Sequence, residues 1–179
     1  MASCSSPTGI TILSLSARNL TRPEVLWASG LGLGFLRPAP GTWGSAGAVV
    51  VWWLFLAEFD PLIQLSICAA YFISGWVCST IVTRTFGIDD ASEIVADEVA
   101  GMWLALAFLP PIWWLVLLAF GLFRLLDILK PGPIGWLDRE VKGGLGVMLD
   151  DLLAGAVVAI VLYVAVLSLQ ASGLTPALL

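Results

Sequence analysis

The segment FRLLDILKPGPIGWLDREVKGGLGVMLDDLLAG, residues 123–155, combines apolar runs with a high density of charge. It holds four of the eight Lys and Arg residues and five of the thirteen Asp and Glu residues of the chain. Charged groups beside apolar helices are costly in a bilayer and usually mark a functional site. Carboxylates suit a hard cation such as Mg²⁺, whereas Arg and Lys suit phosphate. The segment predicts a polar catalytic face on a membrane protein.

The composition of the whole chain favours a membrane. Hydrophobic residues make up 59% and charged residues 12%, whereas a soluble domain has about 25% charged residues. The net charge of −5 argues against nucleic acid as a partner, and no protein partner can be inferred. Because the chain has no His, its own residues cannot form His-ligated zinc or a His-activated nucleophile. Carboxylates remain for metal and proton chemistry.

Five apolar runs predict the fold, which we expect to be all-α: a multi-pass membrane bundle of about four to five helices. The predicted domain is 27–170, preceded by a leader, 1–26, and followed by a short tail, 171–179. The second and the last run approach the roughly 20 residues of a simple span. The runs are 45–57, 62–82, 91–109, 112–129 and 152–169.

The cations predict the orientation in the membrane. If the five runs alternate in direction, all eight Lys and Arg residues fall on one side. The opposite connections, at Glu58–Pro61 and Pro110–Pro111, carry none. By the positive-inside rule the basic side is cytoplasmic, so the polar site should face the cytoplasm.

Four sequence blocks, in order along the chain, resemble the phosphatidylglycerophosphatase A family of bacterial inner membranes. They are GFLRPAPGTWGS (34–45), IVADEVAGMW (94–103), FRLLDILKPGPIGWLDR (123–139) and GGLGVMLDDLLAG (143–155). The resemblance implies a Mg²⁺-dependent lipid phosphatase that hydrolyses phosphatidylglycerophosphate to phosphatidylglycerol and phosphate. One departure is Lys142, which stands where members of the family often have His.

Five acids are the predicted catalytic and metal-binding residues. Asp97-Glu98 directly precedes an apolar run, where a solvated first turn is a poor explanation for two carboxylates. Asp150-Asp151 is expected to end a Gly-rich loop and start the last helix, so that one acid ligates metal and the other caps the helix. The full set is Asp97, Glu98, Asp127, Asp150 and Asp151.

The predicted substrate-binding residues are mostly basic. Arg124, Asp127 and Lys130 recur every three residues and therefore share one helix face. At the start of the first apolar helix, Thr42 and Ser45 are either helix caps or part of an anion site formed by free N–H groups. The full set is Arg124, Lys130, Arg139, Lys142, Thr42 and Ser45.

A second acidic pattern has a simpler explanation. Asp90 and Glu93 form a D-x-x-E capping pattern and are expected to share a helix face with Asp97. A solvated acidic first turn, favoured by the helix dipole, accounts for Asp90 and Glu93 better than metal binding does.

Three other functions remain to be weighed. Another membrane lipid phosphotransferase, such as a headgroup-transferring synthase, would use Asp-rich helices and Mg²⁺, but its D-x2-D-G-x2-A-R core is absent from the sequence. A cation transporter would place its carboxylates in the middle of helices. Cys78 and Arg84 match the C-x5-R pattern of cysteine phosphatases, but the run lacks the glycines of a phosphate loop. The nucleophile, the number of metal ions and the acyl-chain preference stay open.

Overall fold

Helices make up the fold throughout the part of the chain that the structure describes. The structure is a computed structural model, and it describes residues 15–88, 91–141 and 143–172, without the side chains at 138, 139, 143, 144 and 147. The all-α prediction is confirmed. The α-helices of the described residues are α1 (Pro23–Ala28), α2 (Pro40–Val51), α3 (Pro61–Phe86), α4 (Ala96–Leu106), α5 (Trp113–Leu129), α6 (Pro133–Glu140) and α7 (Gly143–Ala171). Short 3-10 segments cover Ala17–Thr21 and Leu33–Phe35, and a π-helical turn, Trp52–Leu56, continues α2.

Local sequence explains where these helices begin and end. Proline, whose fixed φ suits the first helical position, starts α1, α2, α3 and α6. The side chain of Asp60 caps α3 by accepting a hydrogen bond from the Leu62 N–H at 2.8 Å. At the other end of α3, Gly87 adopts the left-handed conformation with φ of 66°. Helix α5 stops at Lys130, which precedes Pro131.

The short helix α4 occupies the centre of the bundle and packs against α2, α3, α5 and α7. Its closest neighbour is α7, because Gly101 and Gly155 bring the two backbones together: a Cβ on Gly101 would lie 2.6 Å from the Asp151 carbonyl oxygen. The apolar core beside this contact includes Trp52, Met102 and Phe123, all fully buried. Any polar group at the start of α4 is therefore surrounded by other helices.

The two ends of the bundle differ in chemistry. The connections at 57–61 and 107–111 line a common cavity of about 300 Å³ together with Tyr163 and Gln170 near the end of α7. The starts of α2, α4 and α7 and the end of α5 lie at the opposite end, where Asp97, Glu98, Asp127 and Asp151 are found. This arrangement agrees with the alternating direction of the predicted runs.

Two of the described helices, Pro61–Phe86 and Met148–Ala171, are long and apolar enough to cross a membrane. They correspond to the second and the last of the predicted apolar runs. Length and composition are the basis of this assignment, which supports membrane association.

The structure corrects three predicted helix starts. Helix α2 begins at Pro40 and α4 at Ala96, rather than at 45 and 91. Residues 91–95 are held outside α4 because the Val95 N–H donates to the Ala28 carbonyl and because Ala91 packs with α1 and α3. The predicted Gly-rich loop at 143–146 is the first turn of α7. A Cβ on Gly146 would collide with the Val141 carbonyl, so this glycine permits close packing of α7 against the end of α6.

Candidate active site

The first turn of α4 places two carboxylates inside the bundle. Asp97 and Glu98 follow the completely buried residues Val95 and Ala96. Asp97 Oδ1 and Glu98 Oε2 are buried and accept no hydrogen bond from any described residue. Because α4 starts at Ala96 rather than near residue 91, these acids lie in its first turn, but that turn is inside the bundle and its carboxylates have unpaired oxygens. A solvated acidic turn does not describe them.

Helix α7 adds two more carboxylates from inside its length. Asp150 and Asp151 are 4% and 2% exposed and lie about two turns after the helix start at Gly143. The prediction that one of them caps the helix is therefore wrong. Asp151 Oδ2 is buried without a hydrogen-bond partner among the described residues.

Three of the predicted acids converge on one point. Asp97, Glu98 and Asp151 each offer a carboxylate oxygen, and these oxygens lie within 4.8 Å of one another. Asp127 of α5 comes within hydrogen-bonding reach of Asp151. Carboxylates from α4, α5 and α7 thus meet at one site, as the sequence predicted. We call Asp97, Glu98, Asp127, Asp150 and Asp151 the acidic cluster.

Arg124 is a cation that contacts two members of the acidic cluster. Its Nη1 lies 2.6 Å from Asp127 Oδ2 and 3.9 Å from Glu98 Oε1. The pair with Asp127 confirms that these residues share one face of α5. The Nε of Arg124 is buried and donates to no described residue, so the guanidinium has capacity for one more acceptor.

Helix α2 supports Arg124 from the other side. Ser45 is completely buried, accepts from Arg124 Nη1 at 3.4 Å, and donates to the Gly41 carbonyl at 2.8 Å. A Cβ on Gly41 would collide with Glu98 Oε1 and lie 3.0 Å from Arg124 Nη1. Of the two alternatives for Ser45, the helix cap is excluded, because Ala39 occupies the N-cap position.

Lys130 lies just beyond the shared face of α5. It follows the last turn in a left-handed conformation, with φ of 43°, and its Nζ lies 2.7 Å from Asp150 Oδ2. Lys130 therefore joins α5 to α7 rather than extending the Arg124–Asp127 face.

The remaining predicted residues are placed apart from the cluster or lie outside the description. Thr42 is half-buried in the first turn of α2, and the described hydrogen bonds do not link it to the acidic cluster. Glu93 pairs with Arg37 at 2.6 Å, so its predicted helix face with Asp97 is wrong. Asp90, Lys142 and the side chain of Arg139 lie outside the described residues.

Burial dominates the electrostatics at the start of α4. Loss of hydration, reinforced by the charge of Glu98, raises the pKa of the Asp97 carboxyl well above its usual range. Burial likewise raises the pKa of Glu98 to about 7, with Asp151 and Asp127 adding to the shift and Arg124 opposing it. The carboxylates need either protons or a cation to remain together.

A hard divalent cation fits this arrangement. Buried carboxylate oxygens that lack partners and lie close together are suitable donors for Mg²⁺, which prefers oxygen ligands. Asp97, Glu98 and Asp151 form the best-placed set. Asp127 and Asp150 already pair with Arg124 and Lys130.

Comparison with known proteins places the chain in a family. A profile described as Phosphatidylglycerophosphatase A matches residues 26–166. A Haemophilus influenzae protein of that name is 38% identical over 146 residues, covering 81% of this chain and 90% of the relative. The Escherichia coli protein of that name is 38% identical over 149 residues, covering 83% and 86%.

A third relative carries a different name. A Bacteroides thetaiotaomicron protein, provisionally named a phosphatidylinositol-3-phosphatase, is 36% identical over 148 residues, covering 79% of this chain and 92% of the relative. No solved structure matches the chain. Since the family profile and two relatives of the same name each span most of the sequence, this chain belongs to the phosphatidylglycerophosphatase A family.

Proposed function

We propose that the protein is a membrane phosphatase that hydrolyses phosphatidylglycerophosphate to phosphatidylglycerol and phosphate in bacterial phospholipid metabolism. Family membership supports the reaction, and one observation carries it: unpaired carboxylate oxygens of α4 and α7 meet beside the partly free guanidinium of Arg124. A divalent cation and an arginine are the groups that bind and polarise a phosphate monoester.

Asp97, Glu98 and Asp151 are the residues that would hold Mg²⁺. When bound there, Mg²⁺ polarises the phosphoryl oxygens and favours attack by water. The chain's own residues supply the rest. The Nε of Arg124 binds a phosphoryl oxygen, while Ser45 and Asp127 fix the guanidinium. Arg124 thereby neutralises negative charge on the transferred group.

Asp127 is the proposed acceptor of the water proton. The Asp127 side chain is 15% exposed, whereas Asp150 and Asp151 are almost completely buried. Attack of the water oxygen on phosphorus breaks the bond to the glycerol oxygen. That oxygen receives the proton that Asp127 took from the water and leaves as the alcohol of phosphatidylglycerol. Lys130 holds Asp150 and supports the same face of the site.

The direct experiment measures phosphate release from phosphatidylglycerophosphate by the purified protein. We expect turnover that stops with EDTA and returns with Mg²⁺. Phosphatidylinositol 3-phosphate is the comparison substrate, because one relative is named for it. Full activity in metal-free buffer would contradict the role of the acidic cluster, and absence of hydrolysis in Mg²⁺ would contradict the function.

The membrane arrangement is part of the same proposal. Besides the two long helices, α2 with its π-helical turn and α5 each contain 17 residues, about 25 Å of helix and the lower limit for a span. Helix α4 has only 11 residues and stays inside the bundle. The protein then has four spans in the bacterial inner membrane, with the acidic cluster near the cytoplasmic face.

The distribution of cations supports this orientation, and cysteine labelling tests it. Single cysteines at Glu58 and Lys142, in a background without the three native cysteines, should react with an impermeant reagent from opposite sides of the membrane. Labelling of both cysteines from the same side would contradict the proposed topology.

The shape of the bundle favours an enzyme over a cation transporter. The carboxylates gather at one end, and the apolar core of Trp52, Met102 and Leu106 fills the bundle beyond them. A transport path would need polar groups along that length. A transporter would also bind cations without releasing phosphate, which the assay above detects.

A further inference from the structure

An apolar cavity of about 380 Å³ lies beside the acidic cluster, between α2, α3, α4 and the segment 27–33. Its volume is within the usual range for ligand sites. We call it the α2–α4 groove. Its walls are formed by apolar and aromatic residues, among them Trp27, Leu33, Ala48, Val51, Tyr71 and Trp103.

The polar edges of the two tryptophans are already satisfied by the protein. Trp27 Nε1 donates to Ser74 Oγ at 3.0 Å, and Trp103 Nε1 donates to the Ala48 carbonyl at 3.0 Å. Tyr71 lies between the two indoles, with ring centroids 5.2 Å from Trp27 and 4.9 Å from Trp103. The indole rings therefore present hydrocarbon surface to the groove, which suits an apolar ligand.

The groove lies near the acidic cluster on the same two helices. On α4, Val99 lines the groove and follows Glu98 in sequence. On α2, Ala48 lines it one turn beyond Ser45. Val51, at the end of α2, lies about 15 Å along the helix from Gly41. A ligand with its phosphate beside Arg124 would therefore have an apolar groove within about two helical turns of it.

The groove also opens at the surface. Leu31 and Val51, which line it, are 70% and 38% exposed. Tyr71 stands near the middle of α3, one of the two helices apolar enough to cross a membrane. An opening at that depth faces hydrocarbon if α3 spans the bilayer. A lipid tail can enter it from there without crossing water.

We propose that the α2–α4 groove binds one acyl chain of the phospholipid whose phosphate is hydrolysed at the acidic cluster. This inference rests on the proposed function. The occupant follows from proximity: a phosphate site and an apolar groove on the same pair of helices match a molecule with a phosphate head and a hydrocarbon tail. Val51 and its neighbours, at the far end of the groove, then determine which acyl-chain lengths fit.

The test narrows that far end with Val51→Trp. The matched control is Val50→Trp, because Val50 is the preceding residue of α2, is 55% exposed and does not line the groove. Both variants and the wild type are assayed with dipalmitoyl and dihexanoyl phosphatidylglycerophosphate in the same micelles. Val51→Trp should lower kcat/KM for the long-chain lipid about tenfold, mainly through KM, with the short-chain value retained. Val50→Trp should leave both values within about twofold.

A second variant tests the same proposal independently, in case Val51→Trp does not fold. Gly47 lines the groove, and a Cβ there would meet only the tip of the Leu33 side chain. Gly47→Leu should therefore fill the groove from the α2 side and give the same selective loss. Melting temperatures of all variants show whether the fold is intact.

Three outcomes would overturn the inference. Equal losses for both lipids would mean that the substitutions damage the catalytic site. Unchanged kinetics for both groove variants would mean that no acyl chain of the substrate occupies the groove. A changed oligomeric state with an unchanged chain-length preference would identify the groove as an interface between copies. Absence of hydrolysis of either lipid by the wild type would instead defeat the proposed function itself.

Discussion

Replacement of Asp151 by Asn should stabilise the metal-free protein while it abolishes catalysis. Asp151 faces the carboxylates of Asp97 and Glu98, with ligand oxygens within 4.8 Å. At that distance, 4.8 Å, two unit charges repel by about 3.5 kcal/mol at an effective dielectric constant of about 20. Asn removes one charge from two such pairs, and its amide can donate to the remaining carboxylates.

The measurable gain is smaller than the sum of the two repulsions. In the metal-free protein the cluster relieves most of the repulsion by binding protons, so we expect a gain of about 2 kcal/mol in the free energy of unfolding. For a chain of this size that corresponds to a rise of about 4–8 °C in Tm. Turnover should fall by about two orders of magnitude or more, because a ligand of the cation is lost.

Thermal unfolding in detergent, with EDTA and then with Mg²⁺, checks both parts of the reasoning. Mg²⁺ should raise the Tm of the wild type and leave that of Asp151→Asn almost unchanged. The control is Asp60→Asn, an acid-to-amide change at the exposed cap of α3, which should shift stability by less than about 0.5 kcal/mol. A destabilised Asp151→Asn protein, or one that Mg²⁺ still stabilises fully, would refute the cluster as a set of repelling metal ligands.

Further expected outcomes concern the surroundings of the cluster. Gly41→Ala should lower kcat/KM about tenfold by displacing Glu98 and Arg124. The control, Gly121→Ala, has open space around the added methyl group and should keep activity. Equal effects of the two substitutions would contradict the close approach of α2 to Glu98. Arg124→Lys should lower kcat without unfolding the protein, because Lys lacks the planar guanidinium that can contact Asp127 and a phosphoryl oxygen together. Unchanged turnover would contradict the binding of a phosphoryl oxygen by Arg124. Since burial raises the pKa of Glu98 from 4.5 to about 7, this carboxyl should make the metal-free protein lose stability as the pH rises between those values. Glu98→Gln should lessen the loss in that interval, and parallel Tm curves would contradict the shift. Cys78→Ser should retain near-normal turnover, because the C-x5-R run lacks the glycines of a phosphate loop. Loss of turnover with an intact fold would instead support the cysteine-phosphatase hypothesis.

Much of the site could be predicted because its charged residues directly flank apolar runs in the sequence. The three-residue spacing of Arg124 and Asp127 requires a shared face in any α-helix, and the structure shows the ion pair. Acids next to apolar runs indicated Asp97 and Asp151, since only a bundle can bring them together. These inferences depend on helical periodicity alone.

The errors arose where tertiary packing overrides local sequence. Glycines at 143–146 resemble a loop, but α7 uses Gly146 for close contact with the Val141 carbonyl. The D-x-x-E pattern suggested a helix start near residue 91, yet Glu93 pairs with Arg37 and the helix begins at Ala96. Nothing in local spacing shows that Gly41 approaches Glu98, because that contact joins residues far apart in the chain.

The central position of α4 connects the polar and apolar chemistry of the protein. Its first turn carries Asp97 and Glu98 into the acidic cluster, and its next turns supply Val99 and Trp103 to the α2–α4 groove. Helix α2 repeats the order, with Ser45 beside Arg124 and Ala48 in the groove wall. A shift of either helix along its axis would therefore move the phosphate contacts and the groove together. Because Gly101 and Gly155 fix α4 against α7 at van der Waals limits, such shifts are sterically resisted. A short, buried and glycine-locked helix thus keeps a fixed distance between the groups that bind a headgroup and the surface suited to its tail.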